Sequence, residues 1–94
     1  YGSLQIDTNN HRVVRDGVTV DLTVREYAIL EYLVRNRNIV VTREQIRANI
    51  WSIDDDINSN VVDVYIRYLR RKIDDPFEEK LIHTIRGVGY RLEC

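Results

Sequence analysis

Ninety-four residues, 44% hydrophobic and 31% charged, describe one folded domain spanning 1–94, long enough to bury a core without staples. The apolar runs are far too short to span a bilayer, Tyr1-Gly2-Ser3 has no secretion-signal character, and a lone thiol, Cys94, cannot form an internal disulfide. The expectation is a cytoplasmic chain with no membrane partner. A net charge of −1 and a pI near 6.1 exclude a uniformly basic nucleic-acid binder, so any affinity for a polyanion has to come from local segregation.

Residues 3–22 read as short antiparallel strands. Leu4 and Ile6 alternate with polar neighbours, Thr8-Asn9-Asn10 is a turn cluster, and Asp16-Gly17 is a strong hairpin signal. Val18, Val20 and Leu22 alternate on the return strand, which predicts a sheet with one buried face and a scaffold role. Thr23-Val24-Arg25-Glu26 is a capping box, a hydroxyl at the helix N-cap and a carboxylate three residues on. Tyr27, Leu30, Leu33 and Val34 follow at helical spacing, and the helix should end near Asn36–Asn38. Ile39-Val40-Val41 predicts a strand too brief to make a sheet alone. Thr42-Arg43-Glu44-Gln45 opens a second capped helix running to about Trp51, with Ile46 and Ile50 inward. Trp51 is either a core lid or a surface contact, and its position favours the lid.

Residues 52–59 lack helical period and hold Asp54, Asp55 and Asp56. They read as a solvated loop or as a docking surface for a second protein. A third helix starts near Asn58–Asn60 and runs to about Asp74. Val62, Ile66, Leu69 and Ile73 form its apolar stripe, while Val61, Val64, Tyr65, Tyr68 and Arg71 lie on the other side. Residues 60–73 carry Arg67, Arg70, Arg71 and Lys72 against Asp63, a local charge of +3 between two acidic blocks. Asp63 suits the first turn, where a carboxylate favours the helix dipole. About 20 Å of helix is ample for a major groove about 12 Å wide.

Asp74-Asp75-Pro76 stops that helix, and Phe77 is expected to plug the core. Residues 81–85 form a strand, Arg86-Gly87-Val88-Gly89 a turn, and Tyr90-Arg91-Leu92-Glu93 the return strand. Thr84 and Arg86 share one face of the hairpin, and His83 points the other way. The order sheet, helix, strand, helix, loop, helix, hairpin is an α+β winged helix-turn-helix: an N-terminal antiparallel sheet, three helices and a C-terminal hairpin wing. In that arrangement the third helix (60–73) reads a major groove and the wing (84–90) reaches the adjacent backbone or minor groove. Enzyme readings fail on spacing. His11 and His83 lie far apart in sequence, no Cys/His set fits zinc, no glycine-rich phosphate loop precedes a helix, and no nucleophile groups with a base. No catalytic residue, metal site or cofactor is assigned.

Four motifs in order carry a resemblance over nearly all of residues 4–93. They are Leu22-Thr23-Val24-Arg25-Glu26-Tyr27, Val41-Thr42-Arg43-Glu44-Gln45-Ile46, the run from Val62 to Lys72, and Thr84-Ile85-Arg86-Gly87-Val88-Gly89-Tyr90. The chain resembles the C-terminal effector domain of OmpR/PhoB-type response regulators of two-component phosphorelay systems. The resemblance implies transcriptional regulation by sequence-specific binding of double-stranded DNA. It also implies an N-terminal receiver domain, absent here, phosphorylated by a sensor histidine kinase, with a monomeric effector domain and an intact protein dimeric on direct-repeat half-sites. Loop 52–59, with Asp54, Asp55 and Asp56, would face RNA polymerase. By position, the third helix would supply DNA contacts from Asn60, Val61, Val64, Tyr65, Arg67, Tyr68, Arg70 and Arg71. The wing would add Thr84, Arg86 and Gly87, with the Tyr90 hydroxyl near a phosphate, and Trp51 could reach the backbone through its indole N–H. Asn60 stands where the family often has Arg, and Tyr65 and Tyr68 where it often has His and Arg, which shifts the implied base preference toward stacking, methyl and amide readout. Two other readings compete: a protein-docking winged helix, and single strands stacked on Tyr65 and Tyr68.

Overall fold

The computed structural model describes residues 2–52 and 60–93, and within them the elements follow the predicted order. Strands β1 (Leu4–Asp7), β2 (Arg12–Arg15) and β3 (Val18–Val20) form an antiparallel meander. At the β2–β3 turn Asp16 and Gly17 have φ of 52° and 81°, the paired left-handed residues of a tight hairpin. The buried face of this sheet departs from the expected apolar alternation. Leu4 and Val13 are buried, but Arg15 is buried beside them at 1% exposure, while Val18 is 54% exposed and Val20 and Leu22 are only half-buried. The Arg15 guanidinium joins the sheet to the rest of the molecule alongside Leu4 and Val13, with Ile6, Val20 and Leu22 packed at the margin of the core.

Helix α1 (Val24–Arg35) begins in the predicted capping box: Thr23 Oγ1 accepts from the Glu26 N–H at 3.3 Å and Glu26 Oε1 accepts from the Thr23 N–H at 2.8 Å. It ends at Asn36, and the following turn is held by the Asn38 N–H donating to Leu92 O at 2.7 Å. Strand β4 (Val41–Thr42) runs directly into α2 (Arg43–Ile50), whose Thr42/Gln45 capping box is also formed. Helix α3 (Val61–Ile73) has Asn60 at its N-cap position without a side-chain capping bond. Strands β5 (Ile82–Ile85) and β6 (Gly89–Leu92) make the terminal hairpin.

The brief strand β4 gains its stability by pairing with this hairpin, in the sheet order β4-β6-β5 with Val41 opposite Tyr90 and Thr42 opposite Gly89. Gly89 permits that approach, because a Cβ there would lie 2.0 Å from the Val41 carbonyl oxygen. Thr42 therefore belongs to the wing sheet and caps α2 at once.

The core is where the three helices meet the wing sheet. Val62, Ile66, Leu69 and Ile73, the predicted stripe of α3, are all buried, as are Tyr27, Leu30, Leu33 and Val34 of α1 and Ile46 of α2. Phe77, expected to plug the core, is only half-buried, and the Arg15 guanidinium carbon lies 5.0 Å from its ring centroid.

Candidate nucleic-acid interface

Burial of one stripe of α3 fixes where its remaining residues point. By the 3.6-residue period, Asn60, Val64, Arg67, Tyr68 and Arg71 lie opposite Val62, Ile66, Leu69 and Ile73. Asn60, Arg67, Tyr68 and Arg71 are exposed, and Val64 is partly so. This outward face combines two guanidiniums, an amide, a phenol ring and a small branched side chain. The guanidiniums suit phosphates, the amide a base edge, the phenol ring a sugar or base face and the branched side chain a thymine methyl.

The two flanks of α3 are engaged within the protein. On one flank, Val61 and Tyr65 pack against the core, and the Tyr65 ring meets Trp51 edge-on at 5.4 Å and Tyr68 at 5.7 Å. Trp51 is 6% exposed, with the Arg25 guanidinium carbon 5.0 Å from its ring centroid, so it is foremost a lid. On the same flank Lys72 Nζ donates to Glu26 Oε1 at 2.7 Å, tying α3 to the start of α1. Burial alone would raise the Glu26 carboxyl, but the Lys72 and Thr23 hydrogen bonds outweigh it and hold the group below its usual range.

The other flank faces α2 and the wing. Arg70 Nη2 donates to Thr84 Oγ1 at 2.6 Å and to Ile82 O at 3.2 Å, so two predicted DNA contacts bond to each other. Asp63 Oδ1 accepts from Arg43 Nε at 2.7 Å and from the Tyr90 hydroxyl. The Tyr90 ring is 4% exposed, with the guanidinium carbons of Arg43 and Arg70 at 5.1 and 5.5 Å from its centroid. The Tyr90 hydroxyl, expected near a phosphate, thus donates its hydrogen bond to a carboxylate. Burial works to raise the Asp63 carboxyl, yet the bonds from Tyr90 and Arg43 keep it below its usual range. Burial and then Asp63 push the Tyr90 phenol up.

Arg43 and this role of Asp63 were missed by sequence reasoning, which gave Asp63 only the helix dipole. One signal was available: Arg43 opens α2, where the positive end of the helix dipole disfavours a cation unless a carboxylate lies nearby. At the wing tip Arg86, Gly87 and Val88 are exposed, and Gly87 takes φ of 73° in the turn. Thr84 is exposed on β5. Thus α3 and the wing present Asn60, Val64, Arg67, Tyr68, Arg71, Thr84 and Arg86 outward, while Trp51, Tyr65, Arg70 and Tyr90 support them from within or alongside. Asp54, Asp55 and Asp56 lie outside the described residues. Among the described residues no group of three or more His, Cys, Asp or Glu side chains is placed to hold a metal ion. No helix among them is long and apolar enough to cross a membrane.

Residues 17–92 match the family described as "Transcriptional regulatory protein, C terminal". Response regulator ArlR of Staphylococcus saprophyticus is 51% identical over 85 residues, covering 90% of this chain and 39% of that protein. The chain spans about two-fifths of the length of the curated relatives it matches. Among solved structures, response regulator DrrB, an OmpR/PhoB homologue from Thermotoga maritima, aligns with a TM-score of 0.87 at 37% identity, covering 100% of this chain and 43% of that one. The DNA-binding domain of response regulator AdeR, solved in complex with an intercistronic region, also aligns at 0.87, with 30% identity and coverage of 99% and 95%.

Proposed function

Because the chain belongs to the OmpR/PhoB family of response regulators, as the C-terminal DNA-binding domain of a transcriptional regulator, we propose that it reads duplex DNA with the outward face of α3 in the major groove and the β5–β6 wing on the adjacent backbone or minor groove. Arg67 and Arg71 contact phosphates, and one of them takes guanine bidentately. Val64 meets a thymine methyl, Asn60 an adenine edge, and Tyr68 lies flat against sugar or base. Arg86 and the Gly87 backbone reach the neighbouring strand. Arg70 and Thr84 brace the wing against α3, and either makes a phosphate contact only from that braced position. Val61, Tyr65 and Trp51 hold the near end of the helix and contact the backbone at their edges. Tyr90 is the ring on which the two flanking arginines rest.

The observation that carries this reading is the division of α3. One stripe is wholly in the core, and the opposite side presents Asn60, Val64, Arg67, Tyr68 and Arg71. A helix meant only for water does not place two arginines beside an exposed tyrosine and a valine on its outer face. Likeness to the AdeR domain, solved with an intercistronic region, supports DNA as the ligand.

In the whole protein the domain works beside a receiver that a sensor histidine kinase phosphorylates, and two copies sit on direct-repeat half-sites. The acidic residues Asp54, Asp55 and Asp56 meet a basic surface of RNA polymerase. Selection from random duplexes tests the core of this reading. A recovered consensus with a repeated half-site supports it, and recovery of unrelated sequences bound equally well contradicts it.

A further inference from the structure

We propose that Asp63 is the positioning residue of this interface: from the flank of α3 its one carboxylate oxygen gathers Arg43 of α2 and Tyr90 of β6, and so sets where the wing stands relative to the recognition helix. The proposal rests on the duplex-reading function above and assigns a residue that itself touches no base. Three elements distant in sequence meet at this atom. The Tyr90 ring is held from its hydroxyl end by Asp63 and flanked by the Arg43 and Arg70 guanidiniums, and Arg70 in turn donates to Thr84 and Ile82 of β5. The sheet tie between wing and α2 is short, two residue pairs at Val41–Tyr90 and Thr42–Gly89. The base of the hairpin is anchored by buried Leu81, Ile82 and Leu92, and Arg70 braces β5, so the tip around residues 85–89 is the part whose orientation depends on the few polar ties to α2 and α3. The carboxylate on α3 is the tie that links α2 and β6 at one atom, and it sets the orientation of that tip. Gly89 follows the wing turn directly and Tyr90 comes next, so a shift of the phenol is passed to Arg86 and Gly87.

The charge logic separates this role from a bystander's. An acid beside a DNA-reading helix, acting through charge alone, weakens binding to every sequence alike. Removing it would strengthen binding everywhere. A positioning acid does the opposite for discrimination: without it the wing and helix no longer meet their two sites together, and preference for the correct duplex falls even as non-specific affinity rises. Arg43 is paired with Asp63, and Tyr90, whose hydroxyl donates its hydrogen bond to Asp63, acts through placement of the wing.

The test uses this 94-residue chain, its Asp63→Ala, Asp63→Asn and Tyr90→Phe variants, the selected duplex and a scrambled one. Asp63→Ala should bind the scrambled duplex at least as well as the parent chain while lowering the selected-to-scrambled ratio roughly tenfold, the loss typical of one hydrogen bond. Asp63→Asn keeps an accepting oxygen and should recover most of that ratio. Tyr90→Phe combined with Asp63→Ala should lose about as much as either alone, because both break one clamp. Equal behaviour of the Ala and Asn variants, an unchanged ratio in Asp63→Ala, or single losses that multiply in the double variant would each overturn the proposal. A DNA-free measurement stands beside these. Residual dipolar couplings should show β5–β6 reoriented or averaged relative to α3 in Asp63→Ala but not in Asp63→Asn, and an unchanged orientation in Asp63→Ala contradicts the clamp. If the parent chain prefers no duplex, the DNA-reading function fails, while these couplings still decide whether Asp63 positions the wing.

Discussion

Arg15 closes the carboxyl-terminal end of α3. Its guanidinium, 1% exposed, donates to the Ile73 and Glu79 carbonyls and pairs with Asp74 Oδ1 at 3.3 Å. Asp74 uses both carboxylate oxygens again, accepting the Leu81 and Ile82 N–H groups at 3.0 Å each, where the chain turns into β5. The pair therefore joins the first sheet, the end of α3 and the start of β5. Arg15→Ala should cost about 3–5 kcal/mol, the penalty of leaving one member of a buried pair alone, read from the denaturant midpoint at constant m-value. A change under about 1 kcal/mol would show that the pair is dispensable. Nothing in the alternation of residues 12–15 revealed this, because an arginine beside the Asp16-Gly17 turn reads as a solvent-facing position and its partner lies 59 residues away.

Two further carboxylates give the fold a pH signature. Glu26 and Asp63 titrate below their ordinary values of 4.5 and 3.8, despite burial, because hydrogen bonds from Lys72 and Thr23, and from Tyr90 and Arg43, favour the ionised form. A lowered folded-state value means that the unfolded chain binds the proton more readily. The contribution is complete above those ordinary values and is lost as pH falls through the lowered ones. Stability measured from pH 7 to pH 3 should hold and then fall below about pH 4.5, where carboxylates begin to protonate. Lys72→Ala should flatten the acid limb, and an identical limb in that variant would remove Lys72 as a cause.

At the scale of elements, α3 shows how far periodicity reaches. The spacing of Val62, Ile66, Leu69 and Ile73 identified the core stripe, and the opposite face followed from it. Both capping boxes and the Asp16-Gly17 hairpin were equally legible, since each depends on residues within a few positions of one another. The flanks of α3 were not legible, because their partners lie 20 and 27 residues away for Asp63 and 46 for Lys72. Such bonds are decided by how elements pack and leave no local pattern. They divide the predicted contacts into an outward set and a bracing set. Arg67 belongs to the first, so Arg67→Ala should weaken binding on all duplexes and flatten the dependence of log K on log salt by about one unit. An unchanged slope and affinity would take Arg67 out of the interface. Val64→Ala should instead change sequence preference more than non-specific affinity, and equal losses on every duplex would argue against a base contact.

At the scale of the whole molecule, a net charge of −1 conceals a strong segregation of charge along the chain. The basic stretch 60–73 lies between acidic residues 54–56 and the acidic block 74–80. The outward face of α3, with Arg67 and Arg71 exposed, is the basic surface that the proposed function turns toward a polyanion. The acidic residues before α3 need a separate use. Replacing Asp54, Asp55 and Asp56 together with Asn should leave duplex affinity nearly unchanged while lowering transcription from a bound promoter in vitro. A loss of DNA binding itself would contradict their assignment to the polymerase.

The central claim is that the outward face of α3 and the wing tip engage duplex DNA together. Titrating the isotopically labelled chain with the selected duplex and following its backbone amides tests that claim most directly. Large shifts at Asn60, Val64, Arg67, Tyr68 and Arg71 and, at the same stoichiometry, at residues 84–87 are the predicted result. Shifts confined to either element alone, or none in both while an acidic protein partner produces them, would contradict it.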